Sequence, residues 1–195
     1  MTDASEKARP SERILATAFE CLVTNGYANV TMRSIADEAG VALSQLTYYY
    51  KNKENLFLEV INRMTDQYLA QIEATLRARS TPGEKIEALA DFFKNLITER
   101  PNLLGIFIDF TAQAVWIPSF RKQLDSFFAT SIEIIERNLP ETAMKTEARP
   151  EPVSKQIATL IFGAIFGTSI QTLISTDREN GFESLRLIEK ILNLI

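Results

Sequence analysis

Ser44, Gln45, Thr47, Tyr48 and Tyr49 lie within six consecutive residues, and their side chains suit the edges of nucleic-acid bases. A glutamine amide offers a paired donor and acceptor, a serine hydroxyl can act as either, and a threonine methyl fits the thymine methyl. Tyrosines bridge bases and backbone with ring and hydroxyl. Arg33 and Lys53 flank the group and could neutralise phosphates, while Thr31 and Leu43 sit at the starts of the short segments that would carry them. Lys53 follows Asn52, which can cap a helix; the free N–H groups, the helix dipole and an ammonium would together hold a phosphate.

Such side chains read bases only if a helix presents them and a second helix supports it from behind. At 100° per residue, Tyr50 and Ala42 fall within about 40° of Leu46, while Ser44, Gln45, Thr47 and Tyr48 point elsewhere. Leu46 and Tyr50 should therefore be buried, leaving the opposite face small, polar and aromatic. The preceding helix starts with Thr31 as N-cap, contributes Ile35, Ala36 and Ala39, and ends at Gly40, whose lack of a Cβ permits the sharp turn. This pattern of two short helices around a glycine turn is a helix-turn-helix.

Almost all of the chain has helical period, and no segment alternates as a strand would. The first helix is expected over about Ser11 to Asn25, with Ser11 as N-cap and Gly26 as the residue that stops it. The recognition helix covers Leu43 to Tyr49, and a long helix from Asn52 runs towards Arg79. Further helices are expected over Glu84–Glu99, Leu103–Ala114, Pro118–Asn138, Val153–Ser175 and Phe182–Leu194, with a proline-rich loop at 139–152. The fold class is all-α, about nine helices. Residues 1–52 form an N-terminal helix-turn-helix domain and 53–195 a larger bundle.

The 195-residue chain carries a net charge of −4. Residues 1–56 hold six cations (Lys7, Arg9, Arg13, Arg33, Lys51, Lys53) and seven acids, so DNA affinity must come from placement rather than bulk charge. Lys7, Arg9 and Arg13 read as a solvated tail or as an arm touching the minor groove or the DNA backbone. One cysteine, Cys21, excludes an intrachain disulfide and suits a reducing cytoplasm. With no histidine, the usual catalytic triads and nearly all transition-metal sites are gone. No catalytic residue, metal site or cofactor is expected. The N-terminus lacks the apolar stretch of a signal peptide, and the run Ile157–Ile174 is interrupted by polar residues, which favours a buried helix over a membrane span.

The motif resembles the TetR family of bacterial transcriptional regulators over about residues 13–61. The matching elements are Ala18-Phe19, Gly26-Tyr27, Thr31, Ile35-Ala36, Gly40-Val41, Leu46, Tyr48-Tyr49, Lys53-Glu54 and Leu56. The chain departs from the usual pattern at Ala42, Leu43-Ser44 and Thr47, and these departures put the operator sequence out of reach. The resemblance implies a homodimer, a double-stranded DNA operator and a small-molecule effector that releases a repressor.

The dimer would form through the last two helices, on Ile157, Leu160, Ile161, Gly163, Ala164, Gly167, Phe182, Leu185, Ile188, Leu192 and Ile195. The effector pocket would be lined by Phe92, Phe93, Leu96, Phe107, Phe110, Trp116, Phe120, Phe127, Phe128, Phe162 and Phe166, with Asp109, Gln113 and Gln171 as its polar groups. An inward Asp109 would select a cationic ligand. Two other readings stand beside this one, an all-helical enzyme on a small ligand and a helical protein-interaction module. Ligand turnover without DNA affinity would mark the first, and salt-sensitive, sequence-selective DNA binding would exclude the second.

Overall fold

A computed structural model describes residues 9–139 and 154–192, within which the chain forms nine helices and no strand. These are α1 (Pro10–Asn29), α2 (Met32–Ala39), α3 (Leu43–Tyr50), α4 (Lys53–Arg77), α5 (Pro82–Glu99), α6 (Pro101–Ala114), α7 (Pro118–Asn138), α8 (Ser154–Ile174) and α9 (Arg178–Leu192). The loop expected at 139–152 lies, from residue 140 on, outside the described residues.

Local chemistry sets most of the boundaries. Four helices begin on a proline at their first position (Pro10, Pro82, Pro101, Pro118), where the missing N–H costs nothing and the fixed φ suits the helix. That moves the start of α1 one residue ahead of Ser11, so Arg9 rather than Ser11 is the N-cap residue. It likewise starts α5 and α6 two residues before the positions that periodicity marks. Capping boxes open α2, through Thr31 and Ser34, and α5, through Thr81 and Glu84. Asn52 caps α4 by accepting from the Asn55 N–H at 2.8 Å. Gly40 closes α2 in the left-handed region, at φ 62° and ψ 41°.

Gly26 interrupts the first helix where expected, with a further short helical stretch beyond the kink. Its φ of 71° and ψ of 165° are open to glycine alone, and helical turns resume through Asn29. The kink turns Tyr27 towards the start of α4. There its ring lies edge-on to Phe57, Phe110 and Phe120 at 5.3, 6.0 and 5.3 Å.

One apolar core runs through both ends of the molecule. Ile14, Ala18, Ile35 and Leu46 hold the first three helices together, Leu56, Ile61 and Ile72 carry α4 across, and Ile97, Phe110 and Ile165 belong to the bundle. An ion pair at 2.6 Å between Glu12 of α1 and Arg63 of α4 braces the same junction. Both side chains are half exposed, so solvent screens the pair and its contribution to stability is small.

Cys21, buried on α1, donates its thiol to Glu38 Oε2 at 3.1 Å. Burial and the neighbouring carboxylate raise its pKa to about 11. The thiol therefore stays neutral at pH 8 in the folded protein, and alkylation there should follow opening of the helix rather than free-thiolate chemistry. A reaction with iodoacetamide as fast as that of the denatured chain would contradict this. Since the folded pKa is the higher one, this contribution to stability is full below about pH 9 and is lost as pH rises through about 11.

α8 is long and apolar enough, by length and composition, to cross a membrane. In the fold it has a buried side and an open side. Ile161 and Ile165 enter the core, whereas Leu160 and Ile174 are 70% and 72% exposed on the other side.

Candidate nucleic-acid interface

α3 is held from one side only. Leu46 is completely buried, and the Tyr50 hydroxyl donates to the Ser11 carbonyl at 3.1 Å, so both face α1 as the wheel requires. Leu43, Ser44, Gln45, Tyr48 and Tyr49 are exposed beside and opposite them, Tyr48 to 82%. Tyr48 and Tyr49 meet edge to face at 5.4 Å, which stiffens two otherwise free rings. Half-buried Thr47 spends its hydroxyl on the Leu43 and Ser44 carbonyls, both at 3.0 Å, and keeps only its methyl for a partner.

The expected phosphate ligands divide. Arg33 is exposed and makes no ion pair among the described residues. The Thr31 hydroxyl accepts from the Ser34 N–H at 3.0 Å and donates to the Ser34 hydroxyl at 3.1 Å, so it is committed to capping α2. The Lys53 ammonium, expected on phosphate, has a partner inside the protein that accepts one of its three N–H groups. Its Nζ donates to the Tyr27 carbonyl and lies 4.2 Å from the centre of the Tyr27 ring. Burial pushes its pKa down, against the pull of Asp109. Lys53 is a strut between α4 and the α1 kink.

One cation has a place other than the sequence indicates. Arg13 belongs to α1, not to an arm, and donates to the Ala39 carbonyl at 3.3 Å, where it steadies the end of α2. Nothing local marks that role, because the partner is 26 residues away. Lys51 closes α3 at φ 46°, a positive value that is uncommon outside glycine, and its side chain is exposed. The asparagine cap that follows it was the available signal for so tight a turn.

Asp109 is also reassigned. It does not face an aromatic pocket: its Oδ2 accepts from the Tyr27 N–H at 2.7 Å, and a Cβ on Gly26 would lie 3.4 Å from the same oxygen. Gln113 reaches its other oxygen at 3.4 Å. Tyr27 is therefore gripped by α6 at its N–H and by α4 at its carbonyl, and Ser119 of α7 donates to Glu54 of α4 at 2.5 Å beside them. Burial raises the Tyr27 pKa, with Glu54 and Asp109 adding to it. Four helices meet at this joint.

The residues expected to line an effector pocket separate into three groups. Phe93, Phe107, Phe127, Phe128, Phe162 and Phe166 pack on one another, with ring centres 5.0 to 6.4 Å apart. Phe92 joins them through Phe93 at 5.5 Å, and Leu96 is buried. Phe110 and Phe120 instead stack behind Tyr27, and Gln113 sits at the joint. Trp116, 82% exposed, and Gln171, also exposed, line no interior. An apolar helix has two sides, and periodicity alone did not say which one each of these residues faced.

The expected dimer face divides similarly. Leu160, Gly163 and Ala164 are exposed on α8, and nothing lies within 4 Å of a Cβ placed on Gly163 or Gly167. Ile161 and Leu185 are buried inside the chain and belong to its core. Ile157, Gly167, Phe182 and Ile188 are half-buried. The Leu192 side chain and Ile195 lie outside the described residues.

Residues 14–60 match the family model of bacterial regulatory proteins, tetR family. A fatty acid metabolism regulator protein of Bacillus subtilis is 22% identical over 94% of this chain and 92% of its own length. The transcriptional repressor KstR of Mycobacterium tuberculosis is 27% identical over 62% of this chain and 57% of its length. Among solved structures, the regulator FadR of Bacillus subtilis in complex with stearoyl-CoA superposes with a TM-score of 0.74. It is 20% identical and the match covers 93% of this chain and 96% of that one.

Proposed function

Because this chain belongs to the TetR family of bacterial transcriptional regulators, we propose that it is a cytoplasmic, homodimeric repressor released from its operator by a small-molecule effector. In this reading it is a regulator and not an enzyme, with residues 1–52 as the DNA-binding domain and 53–195 as the effector and dimerisation domain.

The carrying observation is the two-sided character of α3: Leu46 is fully buried while Gln45 and Tyr48 stand in solvent on the other side. A side chain reads bases well when its helix cannot roll, and burial of Leu46 supplies that restraint. Leu43, Ser44, Gln45, Tyr48 and Tyr49, with the methyl of Thr47, form the reading face. Arg33 and Lys51 take phosphates beside the N-terminus of α2 and that of α4. Two protomers joined through Leu160, Gly163, Ala164, Gly167 and Ile174 would set their α3 helices in major grooves about 34–36 Å apart, or a multiple of that.

The effector acts by preferring one arrangement of the two domains, which lowers the population able to span both half-sites. The Tyr27 joint is where such a preference would be transmitted, since α1, α4, α6 and α7 all meet at it.

Selection of DNA from a random pool by the purified protein tests this reading. A pseudo-palindromic consensus should emerge, with affinity falling steeply as salt rises. Binding that ignores sequence, or none at all, would sink the proposal.

A further inference from the structure

Leu15, Phe19 and Val23 recur every fourth residue along α1, and Val60, Met64 and Tyr68 do so along α4. The two stripes are packed together below but open outward, and with the turn between α5 and α6 they wall a groove of about 650 Å³. A second hollow of about 360 Å³ shares Val23, Pro101 and Asn102 with it and reaches Gly26 and Asp109. The groove thus runs along the seam between the two domains and ends at the Tyr27 joint. Its apolar walls are only partly covered, with Phe19, Val23 and Leu103 half-buried.

Its polar groups are unequal. Glu12 and Arg63 satisfy each other through two hydrogen bonds, at 2.6 and 3.0 Å, and Arg63 also holds Glu59 at 3.1 Å. Arg100, the residue that ends α5, lines the groove and makes no ion pair among the described residues; Tyr68, 6% exposed, lines the groove with it and forms its floor. Glu20 and Glu99 stand exposed on the outer rim, where water and salt screen them. Beyond Tyr68, Phe92 and Phe107 meet its ring at 6.2 and 6.0 Å, so the floor is shut against the aromatic cluster.

We propose that this inter-domain groove is a binding site for an elongated amphiphile, with its apolar chain between the α1 and α4 stripes and its anionic head, a carboxylate or an equivalent group, on Arg100. The volume is that of a typical small-molecule site. Resting on the effector-released reading above, the inference adds the ligand class and its place. A chain laid along α1 towards Gly26 separates α1 from α6 and works against the hydrogen bond between Tyr27 and Asp109, which moves the reading helix relative to the bundle.

Titration calorimetry of the full-length protein without DNA tests it, using dodecanoate and dodecyltrimethylammonium below their micellar concentrations. Dodecanoate should bind, and the ammonium of equal chain length should bind at least about tenfold more weakly. Arg100→Gln should weaken dodecanoate about tenfold, the loss of one charge-assisted contact. Ala16→Trp places bulk in the groove from an exposed position and should abolish binding, whereas Phe128→Leu in the aromatic cluster should leave it unchanged. Absence of dodecanoate binding, equal affinity for the two probes, or binding untouched by both Arg100→Gln and Ala16→Trp would overturn the assignment. Failure of the regulator reading shows separately, as absent operator binding by the parent protein.

Discussion

Tyr27→Ala is expected to remove about 2–4 kcal/mol of stability, towards the lower part of the range for an aromatic-to-alanine change because the residue is half-buried. Its ring makes three edge-on contacts, with Phe57, Phe110 and Phe120, and a cation–π contact with Lys53. Contacts of these kinds contribute roughly 0.5–1.5 kcal/mol each beyond the area they bury. Without the ring the aromatic wedge between α1, α4 and α6 is gone. Protection of backbone amides against exchange should then fall first in α1 to α3 and only later in α5 to α8. Tyr27→Phe should behave like the parent, because ring contacts and both backbone hydrogen bonds remain. If alanine at position 27 left the melting transition within about 0.5 kcal/mol of the parent, the joint would not have the role assigned to it.

The second large effect concerns DNA. Gln45→Ala should change the base preferred at one position of each half-site, costing about 1–3 kcal/mol there and little elsewhere. Arg33→Ala should weaken every sequence alike and lower the slope of log affinity against log salt by about one. Lys53→Ala should do neither of these. Its ammonium is already engaged by the Tyr27 carbonyl, so the change should reduce stability while the salt slope stays as in the parent. Binding curves over a salt series for the three variants distinguish these outcomes. A reduced slope for Lys53→Ala with unchanged stability would restore the direct phosphate role and remove the strut.

Lys53 also illustrates where sequence reasoning reached its limit. Asn52 as a cap and Lys53 at the first position of α4 are local features, and both are where the residue types place them. The direction of the lysine side chain depends on Tyr27, which the Gly26 kink brings in from 26 residues earlier. Asp109 shows the same limit. An acid in an apolar run must be satisfied somewhere, but its partner is an N–H 82 residues away that no periodicity marks. Trp116 and Phe120 are four positions apart across the α6–α7 turn, one in solvent and one fully buried. Composition placed them together, and packing separated them.

The order of the nine helices, the caps at Thr31 and Asn52, the glycine turn at Gly40 and the buried side of α3 at Leu46 follow from short-range rules: side-chain hydrogen bonds to nearby N–H groups, access to positive φ, and the 3.6-residue period. The sequence by itself determined those features, and with them the likeness of residues 14–60 to the tetR family model. Only the tertiary structure decided which groups Lys53 and Asp109 bind, which phenylalanines share a cluster, which side of α8 stays open, and that a groove runs along the seam to Tyr27. Each of these is set by segments distant in sequence, whose relative placement depends on how two-sided apolar helices pack, and that information is absent from any single helix.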